Sequence, residues 1–238
     1  MAKTIAGVRA TAYRMRHAAP PGTGASHTTL GITDLMTSLA IVFILLFAAQ
    51  ITKTSSAGQS ELQVNKEDVQ TALRDHIQRL GLSLDADPRD PLALSIVVPE
   101  NLLTFEFGKS TLSRSADQFL VEALPFYVKA LCGPLRNKID SLAIEGHTDD
   151  FGSDAFNLKL SQERSLAVMV KGLEVIQTTE PASYQCFQEI TSAAGRGRQD
   201  LIYESTSMVN REKSRRVIFK IRLRSAEQRH RSEPAKSL

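Results

Sequence analysis

"IEGHTDDFGSDAFNLKLSQERSLAV", residues 144–168, passes from an alternating apolar strand pattern through a polar turn into a helical one. Asp149 falls where the strand "IDSLAIEG" (139–146) gives way to loop. Asn157, Leu160, Ser161 and Arg164 then recur at i, i+3, i+4 and i+7, so they share one helical face. Leu166, Leu173 and their neighbours form an apolar stripe on roughly the opposite side, the side expected to meet a core. An acid and a base thus face solvent together beside an amide. The pair suits a small zwitterion, with Asp149 taking its ammonium and Arg164 its carboxylate in a charge-assisted fork. An ordinary surface salt bridge, worth little, fits the same spacing. His147 invites a hydrolase or metal reading, but no activated nucleophile or ligand spacing accompanies it. No catalysis, no cofactor and no metal are expected.

Outward from this stretch the pattern is that of a mixed domain over 91–225. "LALSIVV" (92–98) alternates, "Pro-Glu-Asn" makes a turn, and "LLTFEF" alternates again through Leu103, Phe105 and Phe107, which predicts a hairpin. "SADQFLVEALPFYVKAL" reads as a helix kinked at Pro125. "FNLKLSQERSLAVMVKGLEVI" is a long helix and "CFQEITSAAG" a short strand region. "RRVIFKIRLR" closes with Val217, Phe219, Ile221 and Leu223 on one side. The fold class is α+β, an α/β sandwich with helices covering one face of a sheet. Residues 226–238 read as a flexible polar tail.

Upstream, "GITDLMTSLAIVFILLFAAQ" (31–50) is almost wholly apolar after Asp34, and at ~20 residues it is long enough to cross a bilayer. A single N-terminal transmembrane helix over 31–51 is expected. A cleaved signal peptide is the competing reading, with Ala48 and Ala49 as the nearest small residues. Lys3, Arg9, Arg14 and Arg16 precede the segment and only Lys53 follows closely. The N-terminal tail, 1–30, is therefore cytoplasmic and the domain beyond the span lies outside, in a bacterium the periplasm. Residues 52–90 hold a linker and a short amphipathic helix with Val69, Leu73, Ile77 and Leu80 on one face. That face can pair with a second copy, rest on the membrane or dock on the following domain.

A carboxylate within a membrane is expensive by several kcal/mol. Asp34, Thr37, Ser38 and Ile41 fall on one helical face, and a polar stripe headed by a carboxylate fits a proton-carrying helix packed inside a larger bundle. Transfer of one charge down the membrane potential supplies about 2.3 kcal/mol per 100 mV. An N-cap at the headgroup boundary accounts for Asp34 equally well. Net charge is +3, from 29 basic and 26 acidic residues, without tryptophan or an aromatic-basic platform, which argues against direct nucleic-acid binding. Cys132 and Cys186 are the only cysteines. A disulfide in an oxidising compartment and two buried free thiols are both open.

Two resemblances sharpen this reading. "GHTD…G…N…LS…R" followed by "REKSRRVIFKI" resembles the OmpA-type peptidoglycan-binding domain over roughly 91–224. The resemblance implies that Asp149 and Arg164 hold the diaminopimelate of the stem peptide, that Phe156, Asn157 and Leu160 shape the pocket, and that Arg215 contributes at its edge. "DLMTSLAIVFILLF" resembles the transmembrane segment of the MotB family of stator subunits, which implies that Asp34 carries the proton and that Thr37 and Ser38 line its pathway. The aromatic-poor lead-in Gly31, Ile32, Thr33 and the compact size are most similar to the ZorB-like branch, from Zorya anti-phage systems. That implies multi-span ZorA/MotA-like partners, five around two copies of this chain, hence a self-dimer. A flagellar stator and a passive wall anchor are the alternatives.

Overall fold

The computed structural model describes residues 27–225 and Gln228, except Phe107 and Thr206; side chains of 27–34, 52 and 54–61 are outside that description. The expected tails at 1–26 and beyond 228, the pathway carboxylate of Asp34 and the alternation at Phe107 therefore lie outside the described residues. The chain divides into two compact units, 1–52 and 53–238.

Among the described residues of the first unit the secondary structure is helix α1, His27–Arg79. Its described side chains from Leu35 to Phe47 are exposed, Leu35 at 71% and Phe47 at 69%. Among the described residues no helix is long and apolar enough to cross a membrane.

The second unit is built on a five-stranded sheet. Its strands are β1 (Leu84–Ala86), β2 (Ala93–Pro99), β3 (Ile139–His147), β4 (Thr191–Gly195) and β5 (Arg216–Leu223), in the order β1-β2-β5-β3-β4. Only β3 and β4 are parallel; β5 lies antiparallel between β2 and β3, with Phe219 opposite Ile96 on one side and Ile144 on the other. Period-2 alternation sends Ile96, Val98, Ile144, Phe219 and Ile221 into the core and turns Val97, Glu145, Ile218 and Lys220 to the other face. Helices α2 (Arg114–Cys132) and α3 (Asp154–Thr179) pack against each other, and α3 lies along β3 and β4. A short α4 (Tyr184–Ile190) precedes β4, and α5 is a single turn, Arg211–Ser214. Serines open both long helices: the Ser113 Oγ accepts from Ala116 N, and the Ser153 Oγ from Phe156 N, each at 3.2 Å.

Several expectations are corrected. Strand β2 does not turn back on 103–107; it pairs with β1 and β5, and Phe105 makes only an isolated bridge to Leu112. The apolar alternation of 102–107 reflects two side chains, Leu103 and Phe105, plugging the core from a loop. Residues 186–190 are helical rather than extended, with Phe187 fully buried. The face of α3 is partly inverted: Asn157, Ser161 and Arg164 are buried and Leu166 is 49% exposed, whereas Leu173 packs against the core as expected. Small groups explain the inversion. A Cβ on Gly146 would lie 2.3 Å from Ser161 O, and one on Gly195 2.5 Å from Gln162 N, so the helix backbone approaches the sheet on its polar, small-residue side.

The end of α1 docks on this unit, settling among the three options for its apolar face. Val69, Leu73 and Ile77 are buried in the common core. The His76 ring stacks on Phe126 at 4.2 Å, and Lys138 pairs with Asp68. Cys132 at the end of α2 is joined to Cys186 of α4 by a disulfide, with Cα atoms 5.9 Å apart.

Candidate functional site

Where β3 ends, the chain enters a loop that crosses to the start of α3. Asp149 anchors that loop by accepting at Oδ1 from Phe151 N at 3.0 Å. Asn157, one turn into α3, closes it from below by donating to Phe151 O at 2.9 Å. The loop, the first turns of α3, the residues after β2 and the residue before β5 enclose a cleft of about 330 Å³. Asp149, Phe156, Asn157, Leu160, Arg164 and Arg215, all singled out in the sequence, line it together. Glu100, Phe105 and Phe151 also line it and were not anticipated.

Charge in the cleft is arranged unequally. Arg215 donates from Nη1 to Asp149 Oδ2 at 2.8 Å and from Nε to Glu100, so one guanidinium is held between two carboxylates. Burial is the largest effect on Arg215 and pulls its pKa down, but the bonds to Glu100 and Asp149 outweigh it, and the net shift is upward. Arg164 is treated differently. It is buried, donates from Nε to Lys109 O at 3.1 Å, and lies over the Phe105 ring at 4.8 Å. Among the described residues no carboxylate reaches ion-pair distance of it. Burial lowers its pKa, Glu100 and Asp149 oppose this, and Arg215 adds to it. A buried guanidinium without a carboxylate partner favours an anion brought into the cleft.

The solvent-facing acid–base pair read from the spacing is therefore corrected. Asp149 is only 14% exposed at its side chain and already bonded to Arg215, and Arg164 reaches the cleft from the buried side of α3. Phe156 and Phe151, 50% and 69% exposed, form the apolar lip. Glu100 was missed because it lies far upstream in sequence. Its signal was the turn after β2, since pairing of Pro99 with Arg216 brings that turn beside Arg215. His147 is buried and lines not this cleft but a different one, described below. Among the described residues no group of acids, histidines or cysteines has the arrangement of a metal site.

Residues 104–215 match the OmpA family, so this part of the chain is similar to that family. The chain is 35% identical over 96 residues, 37% of its length, to the photosystem I chlorophyll a apoprotein A2 of Gloeobacter violaceus; it spans about a tenth (10%) of that relative. Among solved structures it is similar to a putative MotB-like protein from Desulfovibrio vulgaris, at 23% identity and a TM-score of 0.48, covering 71% of this chain and 98% of that one. It is also similar to the periplasmic domain of Helicobacter pylori MotB, at 16% identity and a TM-score of 0.46, covering 61% and 81%.

Proposed function

We propose that the chain is a wall-anchored stator subunit, the B subunit of a Zorya-type anti-phage motor. The observation that carries the anchoring half is the buried, carboxylate-free Arg164 facing Asp149 across one cleft of an OmpA-like domain. The ligand is the zwitterionic end of a diaminopimelate stem peptide in peptidoglycan. Its carboxylate goes to Arg164, and its ammonium to Asp149. Phe156, Asn157 and Leu160 shape the pocket, and Arg215 sets its charge. The domain holds its ligand and does not transform it; no cofactor takes part.

The driving half rests on the motif around Asp34. Residues 31–51 form the single span, Asp34 carries the proton, and Thr37 and Ser38 line its path between this chain and its multi-span ZorA/MotA-like partners, five around a dimer of this chain. The exposed apolar side chains from Leu35 to Phe47 support a lipid- or partner-facing helix. The tail 1–30 is then cytoplasmic and the folded domain periplasmic, and the Cys132–Cys186 disulfide suits that oxidising compartment.

Co-sedimentation of the full chain in detergent with diaminopimelate-type peptidoglycan tests the anchor: binding is lost in Arg164→Ala, and undiminished binding refutes the pocket. Phage plating with the neighbouring multi-span partner tests the motor. Protection vanishes in Asp34→Asn with assembly intact; protection retained in that variant ends the proton role, and motility instead of protection reassigns the motor to a flagellum.

A further inference from the structure

The sheet face turned away from α2 and α3 carries a second cleft, about 290 Å³, just below the ~300–1,000 Å³ of drug-sized small-molecule sites. Its floor is one cross-strand row, Val97, Ile218 and Glu145. One wall is the segment after β1, the other the segment after β4, and the ion pair Arg89–Asp200 ties them together.

Three polar groups in it lack a close partner. Glu145, 14% exposed at its side chain, has Arg196 Nε at 3.8 Å, His147 Nε2 at 3.9 Å and Lys220 Nζ at 4.0 Å, all beyond hydrogen-bond distance. His147 is 1% exposed at its side chain, and its Nδ1 lies 3.3 Å from Gln199 O. A carbonyl only accepts, so the proton sits on Nδ1, and Nε2 presents a bare lone pair that nothing in the described chain satisfies. The buried Nε of Arg196 is likewise unpartnered. The cleft thus offers two acceptors 3.9 Å apart and a donor beside them, over an apolar floor.

Charge narrows the ligand. A cation would meet Arg196, Lys220 and Arg216; an anion would meet Glu145 and Asp87. A neutral group that donates twice and accepts once remains. Adjacent hydroxyls of a sugar do this, because each hydroxyl is both donor and acceptor, while the C–H face of the ring covers Val97 and Ile218. We propose that this cleft is a carbohydrate site, taking a pyranose through two neighbouring hydroxyls that donate to Glu145 and His147 and accept from Arg196. The site does not depend on the reading of the first cleft.

Saturation-transfer NMR on the full chain in nanodiscs tests it, with glucose and with a trimer of N-acetylglucosamine as probes. Transfer to ring protons is expected for at least one probe, with Kd raised about tenfold or more in Glu145→Gln and in Arg196→Gln, and unchanged in Lys159→Ala. Arg196 is a third exposed at its side chain (34%), so its variant keeps the test decisive if Glu145→Gln unfolds. Transfer to the trimer alone assigns the site to a glycan strand, and transfer to both assigns it to hexoses generally. Absence of transfer to either probe overturns the proposal. So does transfer that survives both variants, or transfer abolished by Arg164→Ala, which would put the sugar in the first cleft.

Discussion

Arg215 places Nη1 2.8 Å from Oδ2 of Asp149, so the acid proposed above to receive a ligand's ammonium is already half committed within the protein. Glu100 shares the same guanidinium through Nε. Removing the charge of Glu100 concentrates Arg215 on Asp149 and weakens attraction for an ammonium. Glu100→Gln is expected to lower affinity for diaminopimelate, measured by calorimetry, by about three- to tenfold. Equal or tighter binding would mean that Glu100 competes with the ligand for Arg164 instead.

Arg164 carries more. Loss of a charge-assisted bond in a buried site costs about 1.5–3 kcal/mol, so Arg164→Ala should weaken the same binding by roughly ten- to a hundredfold. Arg164→Lys should recover little of it, because a point charge cannot reproduce the fork.

Helix α3 can lie on the sheet only while Gly146 and Gly195 lack a Cβ. Gly146→Ala would force an atom to 2.3 Å from a backbone carbonyl and should destabilise by about 1–3 kcal/mol or more in urea unfolding. A midpoint equal to wild type would show that the backbone shifts freely there.

The seam between α1 and α2 predicts a change in the opposite direction. Tyr127 Oη is buried without a hydrogen-bond partner, and burial pushes its pKa up to about 12. Tyr127→Phe removes an unsatisfied hydroxyl and keeps the ring against His76, so stability should hold or rise by up to about 1 kcal/mol. A loss larger than that would reveal a bond made by the hydroxyl in solution.

Acid should loosen the fold near neutrality. Burial holds His147 below its ordinary pKa of 6.5, with Glu145 opposing and Arg216 adding, and His76 is lowered by burial and Arg79. Above that pH both rings are neutral in either state. Below it the unfolded chain binds protons that the fold refuses, so stability falls as pH drops from about 6.5. The urea midpoint should be lower at about pH 5.5 than at about 7.5, and His147→Gln should shrink the difference. A midpoint that rises on acidification would reverse the assignment.

Much of the first cleft was legible because its residues sit at helical spacing beside a strand end: Asp149, Asn157, Leu160 and Arg164 need only local geometry to be grouped. Their orientation was not. Hydrophobicity marks Leu166 as core, yet α3 turns it outward because Ser161, Ser165 and the sheet glycines permit a closer approach on the polar side. Glu100 depends on strand pairing, which no local pattern carries. Strand β1 has three residues and no alternation long enough to notice. Residues 186–190 read as the start of a short strand region but sit where the disulfide and Phe187 hold a helix end against α2 and α3.

The arginines and acids of the first cleft hang from different elements: Arg164 from α3, Asp149 from the loop after β3, Arg215 from the residue before β5. Strands β3 and β5 are antiparallel neighbours through seven paired positions from Ser141–Arg222 to His147–Arg216. A tug on whatever the cleft holds is therefore shared between two strands that must slide past each other, with many rungs resisting together, before the grip can tear.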